Sequence, residues 1–126
     1  DGESFLSLID MDLIMDEDFI LNNGEMENTI CIDNPTINTL QKVKAISVNT
    51  THGDDESIKK VKDLFNPQIE SMEGASFFYA CLLEGITCAQ IRSVSNKVER
   101  RNKDNWNIPL AVKNLCSTTL QIINTL

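Results

Sequence analysis

The chain reads as α/β, with helices alternating along the sequence with short strands of a largely parallel or mixed sheet. Two observations predict this class. Short runs rich in β-branched and apolar residues recur at 42–48, 68–72 and 87–94, and helix-period segments separate or follow them. Apolar residues make up 41% and charged residues 24% of 126 residues, which suits one packed domain rather than a disordered chain. Strand, helix, strand, helix, strand, helix is the order of a sheet covered by helices.

Residues 1–41 are expected to be an irregular covering or connecting segment. Phe5, Leu6, Leu8, Ile9, Leu13 and Ile14 offer a short helical face, but Asp and Asn interrupt it. Asn22-Asn23-Gly24 is a turn signal. Asn34-Pro35-Thr36 marks a further break, because proline restrains the residue before it.

Residues 42–126 are more regular. Val43, Ala45, Ile46 and Val48 give a strand over 42–48, followed by the polar loop 49–53. Asp54 or Asp55 then caps a helix to Phe65, with Ile58, Val61, Leu64 and Phe65 on one face and Asn66-Pro67 at its end. A second strand is expected over 68–72 and a helix over 73–83, whose wall includes Ala75, Phe77, Phe78, Cys81 and Leu82. Gly85 suits the position after that helix, where a left-handed residue is favoured. Cys88, Ala89, Ile91 and Val94 predict a third strand over 87–94. After the polar loop 96–105, a last helix runs from about Ile108 to Ile123, with Pro109 in its first turn.

The net charge of -8 argues against a nucleic-acid backbone or an anionic membrane as partner. No stretch approaches the roughly 18 apolar residues of a membrane span. No secretory signal is visible, and a cytoplasmic location is expected. Cys31, Cys81, Cys88 and Cys116 lack C-x-x-C spacing, so reduced, mostly buried thiols are expected rather than zinc ligands or disulfides. His52 is the single histidine, and no metal or other cofactor is expected. The chain opens on Asp1-Gly2-Glu3 without an initiator methionine, which suggests a fragment.

Ligands of such sheets bind beyond the carboxyl ends of the strands, where the loops 49–53, 71–74 and 95–99 are expected. In Ser71-Met72-Glu73-Gly74-Ala75 a carboxylate can accept hydrogen bonds from vicinal hydroxyls, Met offers a soft apolar surface, and Gly lets a ligand approach the backbone. The structural reading is an acid favoured by a helix dipole. In Ile91-Arg92-Ser93-Val94-Ser95-Asn96, Asn96 can present donors and an acceptor to a heterocycle, or can simply end a strand. Arg100, Arg101 and Lys103 form a basic cluster that suits a carboxylate or a solvated loop. Trp106 can stack on a substrate or cover the last helix, and His52 can hold its loop or touch a base.

Glu70-Ser71-Met72-Glu73-Gly74-Ala75, followed about twenty residues on by Ile91-Arg92-Ser93-Val94-Ser95-Asn96, resembles the C-terminal part of the purine nucleoside phosphorylase and methylthioadenosine/S-adenosylhomocysteine nucleosidase superfamily. The run Arg101-Asn102-Lys103-Asp104-Asn105-Trp106-Asn107-Ile108-Pro109 is similar to the futalosine hydrolase branch. The resemblance covers residues 42–126. It implies the C-terminal part of a three-layer αβα domain with a mixed sheet, phosphorylase/hydrolase-like. It further implies release of hypoxanthine from futalosine on a menaquinone route, no cofactor, and a homo-oligomer. The N-terminal half of the same chain would complete the site, and this segment alone would be inactive.

The roles follow by position. Met72 would pack on the ribose and Glu73 hold its hydroxyls. Asn96 would replace the acid of adenine-cleaving relatives, favouring a 6-oxopurine and stabilising the leaving base by hydrogen bonds. Ser95 would orient Asn96. Thr51 and His52 would border the base, with Arg100 and Trp106 further substrate contacts. Two alternatives remain: a phosphorylase or adenine-type nucleosidase of the same superfamily, and a nonenzymatic ligand-binding domain.

Overall fold

We describe the chain from a computed structural model, over residues 10–11 and 24–126. The expected helical face at Phe5–Ile14 and the Asn22-Asn23 turn lie outside these residues. Element order is α1 (Pro35–Thr39), β1 (Ala45–Ser47), α2 (Asp55–Phe65), β2 (Ile69–Ser71), α3 (Gly74–Leu83), a 3-10 turn (Lys103–Asn105) and α4 (Ile108–Ile123). The described residues thus form a helix-rich α/β arrangement around a small two-stranded parallel sheet. Among the described residues, no helix is long and apolar enough to cross a membrane.

The sheet pairs Ala45 with Ile69, Ile46 with Glu70 and Ser47 with Ser71. Parallel strands need a crossover, and α2 supplies it. Asp54 caps α2 by accepting the Ser57 backbone N–H at 2.9 Å. Asn66 closes the helix in the left-handed region, at φ 44°. Of the expected apolar face of α2, Val61 is buried, whereas Leu64 and Phe65 are exposed. Burying one such valine contributes roughly 1.5–3 kcal/mol.

Helix α3 starts directly after β2 and packs on β1, where Ser47 Oγ accepts the Ala75 backbone N–H at 2.7 Å. It ends as expected at Gly85, which has φ 64°. There the Ile86 N–H reaches the Cys81 carbonyl and the Gly85 N–H reaches that of Leu82, which satisfies the last turn.

The third strand expected over 87–94 does not form. Cys88 makes one isolated parallel bridge with Cys31, and the rest of the run has no ladder. A strand needs a neighbour along its length. Here residues 28–31 offer one only at Cys88, whose N–H reaches the Ile30 carbonyl while its own carbonyl accepts Asn28 Nδ2. Beyond it, Gln90 turns its side chain to the start of α3 instead, with Nε2 2.6 Å from the Gly74 carbonyl.

Asn34 is a helix cap as well as a break. Its Oδ1 accepts the Thr36 and Ile37 N–H groups at the start of α1. Its Nδ2 donates to Thr125 Oγ1 at 2.9 Å and to the Ile122 carbonyl at 3.4 Å. One side chain, 1% exposed, therefore ties α1 to the far end of α4. The helix α4 itself has the expected bounds, and Asn107 caps it by accepting the Leu110 N–H.

The cysteines are free, as expected, but not mostly buried. Cys88 is buried, Cys81 is half-buried, and Cys31 and Cys116 are exposed. Among the described residues no group of His, Cys, Asp and Glu is arranged to hold a metal.

Candidate functional site

Because β1 and β2 are parallel, their carboxyl ends lie at one edge of the sheet. From β1 the chain runs into the loop carrying Thr51 and His52, and from β2 into Met72 and Glu73. Two clefts lie on either side of His52. The larger, about 440 Å³, is bordered by His52, Glu70, Ser95, Asn96 and the apolar side chains of Ile69 and Val94. The smaller, about 100 Å³, is bordered by Thr51, His52, Glu99, Arg101 and Trp106. The larger falls within the span of about 300–1,000 Å³ usual for small-molecule sites.

Glu70 organises the wall between the clefts. Its Oε1 accepts the His52 backbone N–H at 2.9 Å, and its Oε2 lies 2.5 Å from His52 Nδ1. Both side chains are largely buried, at 10% exposure for His52 and 7% for Glu70. One carboxylate thus fixes both the backbone and the ring of His52. Asp54 stands two residues on, its carboxyl held below the usual carboxylate range by hydrogen bonds from the Ser57 hydroxyl and backbone N–H, with a small contribution from His52.

Asn96 forms the far side of the larger cleft. Its Oδ1 accepts the Ser95 hydroxyl at 2.6 Å, and its Nδ2 donates to the Lys97 carbonyl at 2.9 Å. A carboxamide has two acceptor lone pairs and two N–H donors. These bonds use one of each and fix the orientation of the amide plane. The Ser95 carbonyl accepts the Asn107 N–H at 2.8 Å, which anchors the same edge to the start of α4. Lys62, Arg92 and Lys97 also border this cleft, against the single carboxylate of Glu70, so it is locally cationic in an acidic chain.

The structure brings some expected site residues together and leaves others apart. His52, Ser95 and Asn96 share the larger cleft, and Thr51, His52 and Trp106 share the smaller. Met72, 48% exposed, and the exposed Glu73 border neither. Arg100 is exposed and also outside both, whereas its neighbour Arg101 borders the smaller cleft. Sequence reasoning missed Glu70 as a site residue. A carboxylate in the middle of a short apolar strand was the available signal, since such a group must find a partner.

Gly74 opens α3 at a crowded point. A Cβ there would stand 2.9 Å from Ser71 Oγ, 3.1 Å from Arg92 Nη2 and 3.2 Å from Gln90 Oε1. Internal packing alone thus favours glycine in the Met-Glu-Gly-Ala run.

No protein-family model, curated protein or solved structure matches the chain.

Proposed function

We propose that this chain forms the C-terminal part of a purine nucleoside N-ribosyl hydrolase of the futalosine hydrolase type, acting on a 6-oxopurine nucleoside. Its fold would be the corresponding part of a three-layer αβα domain with a mixed sheet, in a cytoplasmic homo-oligomer. The observation that carries the reading is Asn96. Its amide is fixed by Ser95 and Lys97 and retains one acceptor and one donor, at the edge of a cleft of about 440 Å³. That pair complements the N7–H and 6-oxo edge of a departing hypoxanthine.

Breaking the N-glycosidic bond leaves positive charge on the ribose and negative charge on the base. The amide of Asn96 meets the second need, and the cationic surroundings of Lys62, Arg92 and Lys97 favour the same charge. Met72 and Glu73 stand exposed at the carboxyl end of β2, open to a ribose. Glu73 would hold its hydroxyls. Thr51, Arg100 and Trp106 would contact the remainder of the substrate. Water would attack the anomeric carbon from a part of the enzyme supplied by preceding chain.

The test uses protein expressed from the full coding sequence, assayed on futalosine, inosine and methylthioadenosine with and without phosphate. Phosphate-independent release of hypoxanthine is expected. Asn96→Ala should lower kcat by on the order of 100-fold or more, the cost of removing one preorganised donor. Wild-type kcat in that variant would remove Asn96 from the chemistry.

A further inference from the structure

We propose that the exposed flank of α4 is a dimerisation surface for a second copy of this chain, the two α4 helices packing antiparallel across a two-fold axis beside Cys116. The inference gives a surface to the homo-oligomer of the hydrolase reading. It rests on the helix alone, so the two stand or fall separately.

A surface helix ordinarily carries one apolar stripe, turned to the core. Helix α4 carries two. Ala111 and Ile122 form its buried side, and the helix packs on α1. Ile108, Val112, Cys116 and Leu120 follow at every fourth residue, a single row along another side, with Ile123 next to it. Ile108, Val112, Leu120 and Ile123 are between 51% and 61% exposed, and Cys116 is exposed as well. Together they make a patch on the order of 400 Å², a size that on a monomer is often a contact surface. Its rim extends it toward the ~800 Å² that each partner gives to a standard interface.

Charge selects the occupant. The chain has a net charge of -8, so two copies repel across most approaches. From Asn105 to Leu126 the only charged side chain is Lys113. Apposing two α4 helices therefore sets no carboxylate against another and leaves none buried without a partner. A charged partner would find almost nothing on this helix to pair with.

Symmetry points the same way, because a two-fold interface needs a patch that complements itself. The stripe from Ile108 to Ile123 is centred on Cys116. Turned end for end about that residue, Val112 of one copy meets Leu120 of the other, and Ile108 lies against the turn that carries Ile123. The small residues Cys116 and Thr119 stand at the crossing and let the helix axes approach to about 8–10 Å.

The test uses protein expressed from the full coding sequence. Light scattering over a dilution series should give an even number of copies. Leu120→Glu, which sets two carboxylates into the seam, should raise the dissociation midpoint by about 100-fold or more while circular dichroism shows it folded. A short bismaleimide should join Cys116 of one copy to Cys116 of the other, as mapped by peptide mass spectrometry, and the link should vanish on dilution to monomer and in Cys116→Ser. A monomer at every concentration overturns the proposal. So does an oligomer that Leu120→Glu leaves intact, or one without the Cys116 link. A monomer whose Cys116 resists maleimide shows the stripe covered by the chain itself, and overturns it too. If Leu120→Glu does not fold, the link and its dilution in wild type decide. Hypoxanthine release is read on the same samples: an inactive dimer defeats the hydrolase reading alone, and an active monomer defeats this inference alone.

Discussion

Within residues 45–71, the backbone of β1, α2 and β2 pairs mainly with itself, through the β1–β2 ladder and the turns of α2. Residues 87–98 have one bridge, at Cys88, a backbone bond from Asn107 to the Ser95 carbonyl, and beyond these a set of side-chain bonds: Gln90 on Gly74, Ser95 on Asn96, Asn96 on Lys97. The two stretches face each other across the same cleft. A ladder tolerates the loss of any one side chain because its bonds are made by every residue. A wall held by amides and hydroxyls does not, since each lost partner strands a polar group. The second wall therefore concentrates both recognition and vulnerability.

The largest expected effect lies at the far end of α4, the helix whose start anchors that wall. Asn34→Ala removes the cap of α1 and both bonds to the end of α4. A cap and two partly buried side-chain bonds together predict a loss of roughly 2–3 kcal/mol in a denaturant titration. A change under about 0.5 kcal/mol would mean that the apolar packing of α1 on α4 suffices alone.

The joint between the two stretches is Gly74. Gly74→Ala sets a methyl against Ser71, Arg92 and Gln90, and flexible side-chain ends can give way. The expected cost is about 1 kcal/mol, at the low end of the usual range for crowding a core. Loss of the Gln90 bond should also speed amide hydrogen exchange over residues 89–92 while sparing the β1–β2 ladder. Faster exchange in the ladder would show that the two regions are one cooperative unit.

The mildest probe is alkaline pH. Burial, and then Cys81 and Cys31, push the Cys88 thiol up from its ordinary value. The folded chain therefore holds that proton more tightly than the unfolded chain. Its contribution is complete below the ordinary thiol range and fades as pH rises through that range toward the raised folded value. Thermal melts at about pH 7.5 and about pH 10 should show a larger drop in Tm for wild type than for Cys88→Ala. Equal drops would remove Cys88 as the alkaline-sensitive point.

The same contrast explains what could be read ahead of the structure. Helices α2 and α4 and the βαβ order were legible because caps and helix periodicity are local: Asp54 before α2, Pro109 inside α4. Residues 87–94 carry the apolar residues of a strand, but a strand exists only if a neighbour is present, and composition does not report that. Asn34 was legible as a break and not as a tie, since its partners lie 88 and 91 positions away. In the candidate site, Ser95 and Asn96 were legible as a pair because they are adjacent. The hold of Glu70 on His52 spans 18 positions and appears only once β2 is laid beside β1.

His52 is the only histidine of the 126 residues. Its imidazole signals in a nuclear magnetic resonance spectrum of this chain therefore stand alone, with no assignment problem. That ring sits where two clefts share a wall, so one uncrowded resonance samples both. The chain carries an intrinsic reporter, at natural abundance and without an attached label, on which ligands, partner segments and variants can be ranked by how far they move a single line.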